Sequence, residues 1–399
     1  MRKIFGKRRV YLDHAAATPV DPGVLERMAP YWNLHFGNAG GIYREADIAR
    51  EALVRARVEI AREISVRPEE IIFTSGGTEA NNLAILGFMD GLSRRGLLPG
   101  VHVITNSGEH PSVRDCFLSL KEKGVLVEFI DFDKDGIVRP EAIGVLLKKE
   151  TRLVSISYVN NEIGTVQPIR EIAKVIRAHE KKEKTAVAFH TDASQAALYF
   201  DLSPQRLDVD LMTVDAQKIY GPKGIGFLFK GNNTAIAPLM RGGSQELGLR
   251  PGTENIPLIV GMGESFVLAA RRRVADSAST KALQDYFIKE IGTHLPQAVL
   301  NGARSERSPS IVNISIPGLD NEYLAVALDE HGIAAATKSA CLGRSQSEHS
   351  YVVESLSGRA DMAKSALRFS LGRTTTRKDI DLVISVLKRE VMKLDKVSL

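Results

Sequence analysis

The sequence predicts an α/β protein with a mainly parallel, seven-stranded sheet wrapped by helices, and a smaller α+β domain beside it. Between about residues 70 and 230, short segments rich in Val, Ile and Phe alternate with helical patterns, which is typical of βαβ units. Most of these segments are apolar throughout, as is typical of strands covered on both faces. The chain has 399 residues, of which 44% are hydrophobic and 25% charged, and this length suits one large and one small domain.

The strands of the large sheet are predicted in seven short segments of the chain. These segments are residues 71–74, 101–105, 125–130, 153–159, 186–190, 211–214 and 226–229. In sheets of this kind, ligands bind beyond the carboxyl ends of the strands. The residues that follow each strand are therefore the candidates for a functional site.

A change of pattern after residue 255 predicts the second domain. The elements expected there are a long helix at 258–274, an amphipathic helix, short strands near 311–316 and a final helix at 377–394. The segment before the long helix contains Pro251 and several glycines that interrupt regular structure, so the boundary is predicted near residue 265. The predicted domains are residues 17–265 for the large one and residues 1–16 with 266–399 for the small one.

Charge and composition restrict the classes of function. No run of about 18 uninterrupted apolar residues occurs, so no membrane-spanning helix is expected. Five Lys or Arg lie within residues 1–10, but no apolar region follows them, so no secretory signal is expected. The net charge is only +5, which argues against nucleic acid as a partner. Two cysteines without paired spacing argue against a disulfide framework or an all-cysteine zinc site and suit the reducing cytoplasm.

A candidate phosphate-binding turn follows the first strand of the sheet. There the segment Ser-Gly-Gly-Thr-Glu, which includes Gly77 and Thr78, opens a helical pattern. Glycines allow the backbone to approach an anion, and the free amides at a helix start can donate to phosphate oxygens. An ordinary helix cap is the alternative interpretation of this segment.

Three further strands are followed by His110, Asp192 and Lys218. Each of these residues alone has a structural interpretation, as a buried histidine, a helix cap or a solvated charge. The ends of these strands converge on one crevice, however, and together with a phosphate-binding turn they supply the groups that hold pyridoxal 5′-phosphate (PLP). The sequence therefore predicts a PLP site in which Lys218 binds the aldehyde carbon and Asp192 keeps the pyridine nitrogen protonated.

Over nearly its whole length, the sequence resembles the cysteine desulfurases, class V members of the fold type I PLP-dependent transferases. The segments that carry the resemblance are YLDHAAATPVDP from Tyr11, IIFTSGGTEANNLAI from Ile71, GEH from Gly108, YVNNEIGTVQPI from Tyr158, HTDASQ from His190, QKIYGPKGIG from Gln217, RPGTEN from Arg250, KSAC from Lys338 and LRFSLGR from Leu367. The resemblance implies a cytoplasmic homodimer that converts L-cysteine to L-alanine and passes the sulfur to an acceptor protein. An iron–sulfur scaffold or a thiolation enzyme is the implied class of acceptor.

The resemblance also implies roles for individual residues. Lys218 is the implied base and covalent anchor of PLP, His110 the acid or base stacked on its ring, and Cys341 the sulfur acceptor. The implied cofactor-binding residues are Gly77, Thr78, His110, Asn161, Asp192, Gln195, Gln217 and Lys218, with Thr253 reaching the cofactor phosphate of a neighbouring subunit. Asn161 and Arg368 are implied at the substrate carboxylate, which the planar fork of an arginine can bind through two hydrogen bonds.

Cys341 is the residue that separates a desulfurase from other PLP enzymes. It lies in the polar segment SACLGRSQS, which is predicted to be a loop, and its thiolate would attack the sulfur of the substrate. A buried small hydrophobe is the alternative for any free cysteine. That alternative is the one predicted for Cys116, which lies on an apolar helical face.

Three departures from the family pattern keep other functions open. Asp215 and Gln217 replace a serine and a histidine of the family, and a carboxylate at position 215 would repel a phosphate unless it turns away, is protonated or meets a cation. The segment FGNAGG and Lys338 also differ from the family pattern. The alternatives are another class V PLP enzyme, such as a selenocysteine lyase or an aminotransferase, and a degenerate homologue that binds without catalysis.

Overall fold

The computed structural model of the protein describes residues 3–4, 7–337 and 349–395. The predictions for Lys338 and Cys341 concern residues outside these ranges. The chain starts with three short strands, β1 (Lys3–Ile4), β2 (Lys7–Arg8) and β3 (Val10–Tyr11). None of the helices in the described part of the chain is long and apolar enough to cross a membrane.

The central sheet has seven strands, as predicted. They are β4 (Ile71–Thr74), β5 (His102–Asn106), β6 (Leu126–Ile130), β7 (Thr151–Ser155), β8 (Ala188–Asp192), β9 (Leu211–Asp215) and β10 (Gly226–Lys230). Their spatial order is β4-β10-β9-β8-β7-β5-β6. Only β10 is antiparallel to its neighbours, so the sheet is mainly parallel.

One predicted strand is too long. The segment 153–159 was expected to be extended throughout, but β7 ends at Ser155. Beyond that point the Ser157 amide donates to the Glu109 side chain, and Val159 pairs with Val166 across a separate turn. The hydrophobic pattern continues past the strand because this turn is also buried, which is why the sequence could not locate the end.

Helices cover both faces of the sheet. Those of the first part of the chain are α1 (Pro22–Met28), α2 (Pro30–Asn33), α3 (Arg44–Glu63), α4 (Gly77–Ser93), α5 (Pro111–Glu122), α6 (Pro140–Leu146), α7 (Ile169–Glu183) and α8 (Pro204–Leu207). Five of them begin with proline, whose missing amide costs no hydrogen bond at a first helical position.

Alternate residues of each strand belong to different hydrophobic cores. Ile104 and Val154 pack in the core formed with α3 and α7, while Val103 and Leu153 pack in the core formed with α4 and α5. Because successive side chains of a strand point to opposite faces, the apolar runs in the sequence reflect burial on both sides.

A single long helix, α9 (Ile256–His294), replaces the predicted helix at 258–274 and the amphipathic helix after it. Met262 and Phe266, in its first half, belong to the core of the large sheet, whereas Phe287 and Ile291 belong to a second core. No glycine or proline breaks the helix between these two halves, so one helix spans both cores. The predicted boundary at residue 265 lies inside α9. The domain boundaries themselves stay a prediction.

The second core lies between a small antiparallel sheet and helices. Its part of the chain contains β11 (Val299–Leu300), β12 (Ile311–Ser315), α10 (Asn321–Glu330), β13 (Ile333–Ala334), α11 (Tyr351–Ser357), α12 (Ala360–Lys364), β14 (Ala366–Ser370) and α13 (Arg377–Asp395). The sheet order is β11-β12-β14, and β13 pairs in parallel with β3. Through that pairing the start of the chain joins the second core, where Val10 and Leu12 are buried.

Candidate active site

A cavity of about 260 Å³ lies at the carboxyl ends of the central strands. Its walls bring together nine of the residues predicted from the sequence. They are Gly77, Thr78, His110, Asn161, Asp192, Gln195, Gln217, Lys218 and Arg368. Parallel strands place these distant sequence segments at one edge of the sheet, as expected.

Asp192 is the last residue of β8, and its carboxylate is held in a fixed position. Its Oδ2 accepts a hydrogen bond from Asn81 Nδ2 at 2.8 Å, and its Oδ1 accepts one from the Ser194 amide at 2.9 Å. Two donors from two different elements therefore fix the direction of this charge, and a carboxylate can accept further hydrogen bonds from a ligand.

His110 caps the start of α5 and is neutral near pH 7. Burial lowers its pKa to about 4, although the charge of Asp192 acts in the opposite direction. Its Nδ1 accepts from the Ser112 amide at 3.2 Å and lies 2.8 Å from Ser112 Oγ. Because Nδ1 is an acceptor, the single proton of the neutral ring lies on Nε2. His110 can therefore present an apolar ring face and one donor to a ligand.

Glu109 is a buried acid next to His110 and Ser157, which line the cavity, and sequence analysis gave it no role. Burial raises its pKa to about 8, so it is protonated at neutral pH. Its Oε1 accepts from the Ser157 amide at 2.7 Å, and its Oε2 has no hydrogen-bond partner among the described residues. The signal for it was its position directly after a strand, next to His110.

Lys218 ends a short 3₁₀ turn after β9 (Ala216–Lys218). Its Nζ donates to the Ala16 carbonyl at 2.7 Å, and Gln195 Nε2 donates to the Ala15 carbonyl at 2.9 Å. Both alanine carbonyls lie close to the start of the chain and line the cavity. Sequence reasoning missed them, because backbone acceptors leave no mark in a side-chain pattern.

The start of α4 forms the opposite end of the cavity. Gly76, which precedes it, has φ of +144°, a conformation that favours glycine. The Gly77 amide points at Asp215, whose Oδ2 accepts from it at 3.2 Å. Gln217 donates to the same carboxylate through its side chain, at 3.0 Å, and through its amide, at 3.1 Å. The carboxylate of Asp215 therefore does not turn away from the helix start.

Arg368, on β14, is the buried cation of the site, with a side chain only 2% exposed. Its Nη2 pairs with Asp13 at 2.7 Å, and its Nη1 donates to the Asn161 carbonyl at 2.8 Å. Its Nε has no acceptor within the described part of the chain. A donor left free on a fixed guanidinium suits an incoming carboxylate.

Thr253, which was predicted to reach a neighbouring subunit, is exposed and lies outside the lining of this cavity. Cys341 lies outside the described residues, so its role stays a prediction. Cys116 is buried in the core between α4 and α5, where burial raises the pKa of its thiol to about 12. The prediction that Cys116 is a core residue is therefore confirmed. Among the described residues, no group of three or more His, Cys, Asp or Glu could hold a metal ion.

The groups around the cavity fit PLP. Asp192 suits a protonated pyridine nitrogen, the neutral ring of His110 suits stacking, and Lys218 suits a covalent link to an aldehyde. The amides at the start of α4 are of the type that binds phosphate. The buried hydroxyl of Ser194, which lines the same cavity, has no partner among the described residues and is a further donor for a ligand.

Comparisons with known proteins agree with this geometry. Residues 10–383 match the family described as aminotransferase class V. The cysteine desulfurase IscS of Dictyoglomus turgidum is 38% identical over 392 residues, which cover 98% of this chain and 97% of the relative. Among solved structures, a NifS-like protein superposes with a TM-score of 0.88 at 28% identity, covering 96% of this chain and 100% of its own.

A second solved structure, described as SspA in complex with cysteine, superposes with a TM-score of 0.79 at 32% identity. It covers 92% of this chain and 100% of its own. The predicted fold and the resemblance noted in the sequence are thereby confirmed. The chain belongs to the class V aminotransferase family and, within it, to the cysteine desulfurases.

Proposed function

We propose that this protein binds PLP and removes the sulfur atom of L-cysteine, releasing L-alanine and holding the sulfur as a persulfide on Cys341. The observation that carries the proposal is that Asp192 and Lys218 line one cavity together with the buried Arg368. These three side chains match the pyridine nitrogen, the aldehyde carbon and the substrate carboxylate of such a reaction.

The residues of the cavity position the cofactor. Asp192, held by Asn81 and Ser194, pairs with the pyridine nitrogen, while Gln195 donates to the ring oxygen. Thr78 and the amides at the start of α4 bind the phosphate, with Gln217 close by. Bound PLP supplies an electron sink for the bonds of the substrate α-carbon.

Arg368 and Asn161 bind the carboxylate of the substrate. The free Nε of Arg368 donates to the carboxylate, while Asp13 holds the other side of the guanidinium. This contact places the α-carbon of cysteine close to Lys218. Lys218 then takes the α-proton as a general base and returns a proton to the product.

Cys341 accepts the sulfur. Its thiolate attacks the substrate sulfur, so that a sulfur–sulfur bond forms as the carbon–sulfur bond breaks. The electron pair of the broken bond stays with the substrate carbon, which takes up a proton and becomes the methyl group of alanine. Cysteine and one enzyme thiol are thereby converted to alanine and one enzyme persulfide, and the atoms balance.

Exposed apolar side chains support a homodimer. Trp32, Leu34, Phe36 and Ile42 lie close together in the chain and are all exposed, Ile42 fully. Apolar groups exposed in such number are typical of an interaction surface. Thr253 is exposed as well and is available to a neighbouring subunit, where we propose that it reaches the cofactor phosphate.

The sulfur leaves on an acceptor protein, and we propose an iron–sulfur scaffold or a thiolation enzyme as its class. We place the protein in the cytoplasm, because a persulfide carrier needs Cys341 as a reduced thiol and reducing compartments keep thiols in that state.

The chain offers a matched pair of variants to test the proposal, since it has only two cysteines. The protein loaded with PLP is incubated with L-cysteine and a dithiol reductant, and alanine and sulfide are measured together. Wild type should form both in equal amounts. Cys341→Ser should keep the visible absorption of bound PLP and lose both products, whereas Cys116→Ala should keep both.

Normal turnover by Cys341→Ser would overturn the sulfur-transfer role. Elemental selenium release from selenocysteine without sulfide from cysteine would favour a selenocysteine lyase, and alanine formation that needs a keto acid would favour an aminotransferase. A protein that stays colourless when PLP is added would favour a degenerate homologue.

A further inference from the structure

A carboxylate occupies the end of the cavity where an anion would bind. Asp215 Oδ2 lies 3.2 Å from the Gly77 amide and 3.0 Å from Gln217 Nε2. The Gly77 amide is the first amide of α4, and free amides at a helix start are the donors that phosphate groups use in proteins. The side chain of Asp215 therefore already accepts a hydrogen bond that this amide could otherwise donate to the phosphate of PLP.

The charge of Asp215 faces this position directly. A Cβ atom placed on Gly77 would lie 3.3 Å from Asp215 Oδ2 and 3.4 Å from Ser194 Oγ, so the carboxylate and this hydroxyl both border the helix start. Asp215 is only 7% exposed, so solvent screens it little. It forms no ion pair with any residue in the described ranges, although Arg250, in the loop beside α4, is paired with Glu79.

The cofactor phosphate carries a charge of about −1.5 to −2 near pH 7. Like charges that share one partly buried site repel each other, and the repulsion is stronger there than in water. The hydrogen bonds of Asp215 to Gly77 and to Gln217 must also be given up or shared when a phosphate enters. Both effects would act on the phosphate group, which pyridoxal lacks, and Asp192 and Lys218 would still hold the ring.

We propose that Asp215 is a specificity-determining residue that lowers the affinity of the site for the phosphate group of PLP. This inference rests on the proposed function, because it assumes that PLP binds with its phosphate at the start of α4. Its consequence is that binding depends mainly on Lys218 and Asp192, so that the loaded fraction of the protein follows the concentration of free PLP.

The test compares two cofactor forms that differ only in the phosphate. Full-length protein freed of cofactor is titrated with PLP and, separately, with pyridoxal, and bound ligand is measured by equilibrium dialysis and visible absorption. The variants are Asp215→Ser and Asp215→Asn. Asparagine keeps an acceptor for the Gly77 and Gln217 amides, so it preserves the turn while removing the charge. Asp329→Asn, which removes an exposed carboxylate of the small sheet's domain, is the matched control.

Both Asp215 variants should bind PLP at least tenfold more tightly than wild type, equivalent to about 1.4 kcal/mol. Their affinity for pyridoxal should stay unchanged, and Asp329→Asn should match wild type with both ligands. Thermal unfolding midpoints check that each variant is folded, and either variant alone decides the outcome.

Unchanged or weaker PLP binding by the folded variants would overturn the role of Asp215 while leaving the proposed function intact. Equal tightening of PLP and pyridoxal would also overturn it, because the effect would then not lie at the phosphate. If wild type and variants all fail to bind PLP, both this inference and the proposed function are wrong.

Discussion

The two ends of the cavity differ in how their charged side chains suit the proposed ligand. At the ring end, Asp192 is held by Asn81 and Ser194, and Arg368 is paired with Asp13, so each charge is fixed and complementary to the group proposed to meet it. At the start of α4, the carboxylate of Asp215 holds the donors of an anion site. The comparison teaches that the ring end is arranged in advance for its ligand, whereas the phosphate end contains a competitor.

The largest effect at the ring end is expected from Arg368→Lys. The three donors of lysine lie on one nitrogen, so they cannot reach Asp13, the Asn161 carbonyl and a substrate carboxylate as three separate guanidinium nitrogens do. Loss of a hydrogen bond between buried charges costs about 2–5 kcal/mol, so KM for L-cysteine should rise about 30-fold or more. Steady-state alanine formation measures it.

Arg359→Lys is the control for that change, because Arg359 is an exposed arginine near β14. It should leave KM unchanged. If Arg368→Lys changes KM by less than about threefold, the buried guanidinium does not bind the substrate and the ring end is not arranged for a carboxylate.

A second prediction concerns Glu109, whose protonation keeps a second negative charge away from Asp192. Burial raises its pKa from 4.5 to about 8, so between these values the folded protein holds a proton that the unfolded chain has released. The free energy of unfolding contributed by this group is therefore fully present below pH 4.5 and is lost as pH rises through 8.

Glu109→Gln removes this dependence. Relative to wild type, its free energy of unfolding should rise by on the order of 4 kcal/mol between pH 5 and pH 9, whatever the difference between the two proteins at pH 5. Urea unfolding at both pH values measures the difference. The exposed Glu141→Gln should run parallel to wild type, and parallel curves for Glu109→Gln itself would show that Glu109 ionises normally.

The smallest effect is expected from Ser112→Ala. The Ser112 hydroxyl and amide donate to His110 Nδ1 and stabilise the neutral ring, so removing the hydroxyl favours the protonated form. One hydrogen bond is worth about 0.5–1.5 kcal/mol, so the pKa of His110 should rise by up to about one unit.

This change in the pKa of His110 is measured by the pH dependence of kcat and by NMR titration of the imidazole. The acidic limb of the profile should move to higher pH in Ser112→Ala, while Ser119→Ala, two turns further along α5, should leave it in place. An unmoved limb would mean that the Ser112 amide alone fixes the histidine.

The sequence predicted more of the ring end than of the phosphate end. His110, Asp192 and Lys218 were found because each follows a strand, and the ends of parallel strands meet. The orientation of Asp215 was left open among three possibilities. The structure excludes the possibility that Asp215 turns away, because its carboxylate faces the start of α4 and accepts from Gly77 and Gln217. Among the described residues no cation pairs with it.

Sequence by itself determined which segments form the sheet, that helices alternate with them and which polar residues gather at its edge. These features depend on local periodicity and on the regular geometry of strands, so they can be seen in a single chain. Tertiary structure alone decided that Lys218 donates to the Ala16 carbonyl and that Asp13 pairs with Arg368. It also decided that Asp215 accepts from the Gly77 amide. Each of these contacts joins residues far apart in the chain, and its geometry exists only after the elements have packed.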